Sequence, residues 1–370
     1  MKRFCLLICV AILLGSCSRS VKFDIDGHLI ENASNKVYLV VENASIDTLA
    51  SAEVGADNRF CMRGKIDEPT TAFVCDDNGN TLAILLIEES QLYLRPVPEG
   101  GYIAEGGPIN DKYNLIMQRL SDVALEVAKL DFANPEAEEA YEALILKYHT
   151  ILSTAVSDNL DNLVGVELFL SQEARGMTAE DMRIRFKQFS PRMQSLSAMR
   201  QFEEYIDIYA RTEVGNPVID ITLNNVTDEP VSLGEVCSQS KWVLIDFWAT
   251  WCEPCVHEIA LLREMYAKYA IQGFEICSIS LDSNIARWRE FIAKNGMLWV
   301  NLHDNIDGKQ APATEIYGLQ SIPANFLVAP DGTIIARNLF GDNLRHELEH
   351  IFENYHNNHN TDNQHIEKKH

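Results

Sequence analysis

The sequence predicts a multidomain chain in three parts: an N-terminal all-β domain, a helical middle region and a C-terminal α/β fold. Three observations predict it. Up to about residue 105 the chain reads as short runs of branched and aromatic residues cut by turn chemistry. From about 106 to 212 the apolar residues fall at near-helical spacing. From 213 onward apolar strands alternate with helical stretches. A length of 370 residues is too great for one compact core. With 46% hydrophobic and 23% charged residues, a wholly disordered or collagen-like chain is excluded. The formal charge of −23 is spread over all three regions and excludes general nucleic-acid binding, which needs basic residues to neutralise phosphates. It reads as solubility.

Residues 1–16 read as a signal peptide rather than as fold. Lys2 and Arg3 precede an eleven-residue apolar run from Phe4 to Leu14. A bilayer span needs about 20 residues, so the run fits a signal's hydrophobic region instead. It ends Leu14-Gly15-Ser16-Cys17, which resembles the lipobox of bacterial lipoproteins, where cleavage precedes a cysteine that then carries lipid. The alternative is an ordinary secretory signal with an incidental cysteine. The expectation is a periplasmic protein, lipid-anchored at Cys17 to the inner or the outer membrane.

Residues 18–105 form the expected β-sandwich-like domain. Its strand signals are Lys36–Val41, Arg59–Arg63, Leu82–Ile87 and Gln91–Pro96, punctuated by Asp57-Asn58, Asp77-Asn78-Gly79 and Glu99-Gly100-Gly101. Residues 106–212 are expected to hold four or five helices, interrupted near Gly176. Asn134-Pro135 and Ser190-Pro191 are helix starts with proline at the first helical position, and Thr178 with Asp181 resembles a capping box. Leu115, Met117, Leu120, Val123, Leu125 and Val127–Leu130 carry the helical spacing.

The third domain is read over 213–352, entered at Gly215-Asn216-Pro217. Val243–Ala249 is a strand, Cys252–Ala270 a helix, Phe274–Leu281 a strand and Ile285–Asn295 a helix. Ala324–Val328 and Ile334–Arg337 make a hairpin around Asp331-Gly332, and Leu344–Phe352 closes as a helix. The polar, Asn/His-rich residues 353–370 are expected to be disordered.

The chemistry concentrates where the first of these strands runs into Cys252-Glu253-Pro254-Cys255. A Cys-x-x-Cys at a helix start lets two thiols close a small ring. It also sets Cys252 at the helix N-terminus, where free N–H groups and the helix dipole favour a thiolate. Cys252 is then the exposed, attacking sulfur and Cys255, one turn in, the resolving one. A structural zinc site needs a second Cys/His pair at finger spacing, and His346 with His350 lies about ninety residues away. Covalent c-type haem needs histidine directly after the second cysteine, but Val256 stands there and His257 follows. A peroxiredoxin would carry its reactive cysteine after a Pro-x-x-x-Thr-x-x pattern, which is not found. No metal or cofactor is therefore expected.

These residues resemble the thioredoxin superfamily, and within it the membrane-tethered TlpA/ResA-like thiol–disulfide oxidoreductases. The resemblance covers about 140 residues. It rests on Pro217, on Asp246-Phe247-Trp248-Ala249-x-Trp251-Cys252-Glu253-Pro254-Cys255, on Glu258, on Ile322-Pro323 and on Phe326-Leu327-x-x-Pro330-Asp331-Gly332. The resemblance implies a thioredoxin-like fold. It implies that Asp246 accepts the proton of Cys255, and that Pro323 faces the dithiol through a cis bond and exposes the backbone of Ile322 to a substrate chain. Trp251 would border that groove, and Glu258 would line the active-site cavity. Ala324 stands where many thioredoxins have threonine, which removes a hydroxyl from the groove.

From the residues themselves, Asp246 sits on a strand expected to be covered on both faces. Burial would raise its pKa and make it a proton acceptor. Glu253 and Glu258 oppose a thiolate on Cys252, favour the disulfide and so favour a reductant. Cys277 reads as a core residue and Cys237 as a loop bystander, and a bridge between Cys61 and Cys75 is left open. The expected activity is reduction of disulfide-containing protein substrates, with an unidentified thiol protein as electron donor. Alternatives are a disulfide isomerase, a cytochrome c maturation factor, or a binding or scaffold lipoprotein whose N-terminal regions carry the main role.

Overall fold

The computed structural model describes residues 20–366 except 31–33, 43–45, 89, 98–99, 135, 240, 305–311 and 320. The signal segment, Cys17, Glu99, Pro135 and the last four residues lie outside the described set. No helix among the described residues is long and apolar enough to cross a membrane. The chain divides into two compact units. One runs to Met177 and takes up Met182–Glu203; the other holds Thr178–Asp181 and everything from Glu204.

The first unit opens with eight strands: β1 (Val21–His28), β2 (Lys36–Glu42), β3 (Ile46–Glu53), β4 (Arg59–Ile66), β5 (Thr70–Cys75), β6 (Thr81–Ile87), β7 (Ser90–Pro96) and β8 (Tyr102–Glu105). They form two four-stranded sheets, ordered β4-β1-β7-β8 and β3-β2-β5-β6. Alternate residues of β1 are buried, as period-2 geometry requires of a strand with one face inward. Phe23, Ile25, Phe60, Met62 and Leu92 from one sheet share a core with Val37, Leu39, Val74 and Leu85 from the other. The sandwich is this shared core.

Two glycines set the β1–β4 pairing. Gly27 lies opposite Phe60 and Gly64 opposite Phe23, so each ring covers the glycine across from it. A Cβ built at Gly27 would overlap the Phe60 ring. Gly27→Val is therefore expected to lower unfolding free energy by about 1–3 kcal/mol through overpacking, read as a lower urea midpoint.

Cys61 on β4 and Cys75 on β5 are free and lie in different sheets. Their strand partners are Asp26 and Tyr38, so no bridge joins them.

The helical region comprises α1 (Pro108–Val127), α2 (Ala137–Ser157), α3 (Leu163–Leu168), α4 (Ala179–Gln188), α5 (Pro191–Gln194) and α6 (Ser197–Arg211). A π-helical stretch, Phe169–Glu173, follows α3, and Gly176 interrupts the run with φ +83°. The sixth helix beyond the expected four or five is α5, a single turn too short to show periodicity. Ser190 caps it by accepting from the Met193 N–H. Thr178 and Asp181 do form the capping pair: the Asp181 N–H donates to Thr178 Oγ1 over 3.1 Å. On α1 the buried face is Tyr113, Ile116, Leu120 and Val123, while Leu115 and Leu125 face solvent. From that helix Asn110 reaches β6, accepting from the Leu86 N–H and donating to its carbonyl.

The second unit holds β9 (Thr222–Asn225), β10 (Pro230–Ser232), α7 (Leu233–Cys237), β11 (Trp242–Trp248), α8 (Glu253–Tyr269), β12 (Phe274–Ser280), α9 (Ile285–Asn295), β13 (Val300–His303), α10 (Pro312–Tyr317), β14 (Ala324–Val328), β15 (Ile334–Arg337) and α11 (Gly341–Ile366). The seven strands form one sheet in the order β10-β9-β13-β12-β11-β14-β15. β11, β12 and β13 run parallel, and β14 runs antiparallel to β11. Pro217 bridges to Thr333 beside β15.

Residues 243, 245 and 247 of β11 pack on one side of the sheet with Cys277 and Phe326. Residues 244 and 248 pack on the other with α8, α9 and α11. The strand is covered on both faces. Cys277 is core, as expected, and Cys237 ends the short buried helix α7 rather than lying in a loop. The closing helix α11 is assigned from Gly341 through Ile366. After Gly341 the chain contains no glycine or proline to break it.

Candidate active site

β11 ends at Trp248, and a turn through Ala249, Thr250 and Trp251 delivers the chain to α8. Cys252 is the N-cap of that helix, and its Sγ accepts from the Cys255 N–H over 3.3 Å. Pro254 falls in the first turn, where its missing N–H would have had no intrahelical partner. Cys252 and Cys255 are joined by a disulfide with Cα atoms 5.3 Å apart. Both are buried, so the expected exposure of Cys252 is not found with the disulfide formed, whereas Trp251, Glu253 and Pro254 around them are exposed, Trp251 by 60%.

The turn before the dithiol is held by a residue that sequence reasoning passed over. Asp282, buried just beyond β12, accepts from the Thr250 N–H over 2.9 Å and from the Thr250 hydroxyl over 2.5 Å. It also accepts from the Ser280 hydroxyl over 2.8 Å. Thr250 is thereby fixed two residues ahead of Cys252. In the sequence Asp282 looks like any acid in a turn after a strand, so nothing local marks it.

Asp246 lies six residues before Cys252 in the central strand. It shares a face with Leu244 and Trp248, which pack in the same core cluster as Cys252 and Cys255. Burial pushes its carboxyl up to about 7; the Glu258 charge adds to this, and a hydrogen bond from Ser278 opposes it. The Ser278 hydroxyl donates to Asp246 Oδ2 over 3.3 Å and accepts from Trp299 Nε1 over 2.8 Å. Neither Ser278 nor Trp299 is distinguishable by sequence from an ordinary core position.

Glu258 is half-buried on α8, and its Oε2 accepts from the Gly341 N–H over 3.0 Å, at the start of α11. It caps one helix from another and bears electrostatically on Asp246. The Ile322–Pro323 bond is cis. Ile322 is half-buried and packs against the cluster that holds both cysteines. Ala324 follows as the first residue of β14, paired with Phe247.

Among the described residues, one group brings three possible metal-ligand atoms within reach of one another: Asp24, Asp26 and Cys61, on the β1–β4 face. The Arg63 guanidinium already pairs with Asp24 over 3.0 Å. That face reads as an ion-paired sheet surface.

Residues 214–337 match the model of the AhpC/TSA family. This stretch is a thioredoxin-like domain. The domain resembles the thiol–disulfide oxidoreductase ResA of Oceanobacillus iheyensis, at 30% identity over 125 residues, covering 33% of this chain and 62% of the relative. It resembles the ResA of Bacillus thuringiensis at 25% identity over 139 residues, covering 38% of this chain and 76% of the relative. A solved C-terminal domain of a putative thiol–disulfide oxidoreductase from Bacteroides thetaiotaomicron is 30% identical. It covers 39% of this chain and 99% of that one, with a TM-score of 0.36. The thioredoxin-like domain is of the thiol–disulfide oxidoreductase kind. The sandwich and the whole helical region, α1 to α6, lie outside the 214–337 match.

Proposed function

We propose that the chain reduces protein disulfides in an exported, periplasmic compartment, held to a membrane by lipid on Cys17. The observation that carries the redox part is the Cys252–Cys255 disulfide at the start of α8, with Asp246 buried on the strand that feeds it. In the reduced protein the Cys252 thiolate attacks one sulfur of a substrate disulfide. A mixed disulfide forms, and the other substrate sulfur leaves as a thiolate that takes a proton from water. Cys255 then gives its proton to Asp246 and attacks Cys252. The second substrate thiolate leaves, and the Cys252–Cys255 disulfide seen in this structure is the product. Two electrons have passed to the substrate, and a donor dithiol protein returns two to the pair.

Trp251 and the backbone at Ile322-Pro323 are the proposed substrate contacts. Ile322 packs against the cluster that holds both cysteines, and the family resemblance assigns its main chain to strand-like pairing with a substrate. The reducing direction is supported by Glu253 in the first turn of α8 and Glu258 further along it, since negative charge opposes the Cys252 thiolate. A midpoint potential near the thioredoxin value of about −270 mV is expected. A value near about −120 mV, that of a strong oxidant, overturns the direction. The anchor is supported by the lipobox-like Leu14-Gly15-Ser16-Cys17. Wild-type protein is expected in the membrane fraction and Cys17→Ala in the soluble periplasmic fraction, and equal partitioning of the two sinks the anchor.

A further inference from the structure

Asp246 draws on two neighbours outside the dithiol motif. Ser278 is fully buried on β12, at the position paired with Asp246 across the parallel ladder. Trp299, buried just ahead of β13, donates its indole N–H to Ser278 Oγ. An indole N–H has no acceptor capacity, so Ser278 must be the acceptor in that contact. Its one hydroxyl proton then remains for Asp246 Oδ2, 3.3 Å away. An ionised carboxylate only accepts, so the chain has a single polarity: Trp299 to Ser278 to Asp246.

We propose that Ser278 and Trp299 are positioning residues for proton transfer at Asp246. They hold a hydroxyl proton on Oδ2, so that the proton of Cys255 is taken up on Oδ1. The proposal rests on the disulfide-reductase reading above. As the proton leaves Cys255 Sγ for Oδ1, the Cys255–Cys252 bond forms and the bond from Cys252 to the substrate sulfur breaks. The relay opposes the effect of burial by stabilising charged Asp246, and so keeps this deep carboxylate able to ionise near neutrality.

The surroundings leave this task to Ser278. Glu258, from α8, acts on Asp246 with the same sign as burial. Cys277, next to Ser278 on β12, is held neutral by its own complete burial. Cys252 and Cys255 add two thiols once reduced. β14 offers Asn325 at the paired position, but its amide is engaged with the Leu339 main chain. The Trp299 ring meets Tyr266 of α8 edge-on at 5.7 Å, so the helix that carries the dithiol also orients the indole.

The test is the pH titration of the Asp246 carboxyl carbon by NMR in the full chain with the disulfide formed. It is paired with the pH profile of mixed-disulfide resolution. Ser278→Ala is expected to move both midpoints up by about one pH unit, the value of a lost hydrogen bond to a charge. Trp299→Phe should move them the same way by less, and Ser278→Thr should restore the wild-type values. The double variant should match Ser278→Ala alone, because Trp299 acts through Ser278. An unmoved or lowered midpoint in Ser278→Ala, or a Trp299→Phe effect that persists in full without Ser278, overturns the relay. If Ser278→Ala does not fold, Trp299→Phe against Ser278→Thr carries the same comparison. The carboxyl titration needs no substrate. Shifts in a protein that reduces no disulfide sink the reductase reading and uphold the hydrogen-bond chain, whereas an active enzyme without the shifts sinks the relay alone.

Discussion

Cys255→Ser expressed in cells is expected to accumulate as mixed disulfides with its substrates. They would run as higher-mass species on non-reducing gels and collapse with dithiothreitol. The Cys252 sulfur still attacks, but nothing remains one turn away to resolve the adduct. Cys252→Ser is expected to form no adducts and to reduce insulin only at the uncatalysed rate. Protein lacking residues 1–17 with both cysteines intact should turn insulin over with dithiothreitol as donor. The proposed mechanism fails if either cysteine variant matches that turnover. Serine is close to cysteine in size, and the lost bridge closes a sequence separation of only 3, so the two substitutions should leave the fold in place and differ in chemistry.

Asp246→Asn is expected to separate stability from activity. The folded carboxyl titrates at about 7 because burial disfavours its charge, against an ordinary value of 3.8. A folded value above the unfolded one means the native state binds more protons between them. Wild-type stability should therefore fall as pH rises from about 4 to about 7, and level off above. The full effect is about 4 kcal/mol, from a difference of about three pH units at 1.36 kcal/mol each. The amide of the variant carries no such charge. Asp246→Asn should gain on wild type by that order between pH 4 and pH 8, read from urea unfolding at each pH. Equal pH slopes for the two proteins would show that Asp246 does not titrate as described. Activity should move the other way, with resolution of the mixed disulfide slowed most where wild-type Asp246 is ionised.

Much of the thioredoxin-like domain was legible because its signals are local. Val243–Ala249 is an apolar run broken only by Asp246, and the structure places β11 over Trp242–Trp248. The helix at Ile285–Asn295 and the strands at Ala324–Val328 and Ile334–Arg337 agree with the structure to the residue. Short apolar runs between turn residues identified β2, β4, β6 and β7 of the sandwich. β1 and β3 alternate with Asp, Ser and Thr on their outer faces, and that polar half obscured them. β9, β10 and β13 are three or four residues long, and such segments become strands only when an existing edge accepts their backbone groups.

The candidate site divides along the same line. The spacing of the two thiols, the proline in the first turn after Cys252 and an acid six residues upstream are all written in the primary structure. Each of these lies within a single strand–turn–helix segment. That Asp282 secures Thr250, that Glu258 caps α11 at Gly341, and that Ser278 and Trp299 converge on Asp246 emerges from the folded chain alone. These partners lie 32, 83, 32 and 21 residues apart along the chain, for Thr250–Asp282, Glu258–Gly341, Asp246–Ser278 and Ser278–Trp299. They meet because strand register and helix packing bring them together. A hydroxyl or an indole reads the same in sequence whether it fills a core or orients a proton, and its role is set by what the fold aims it at.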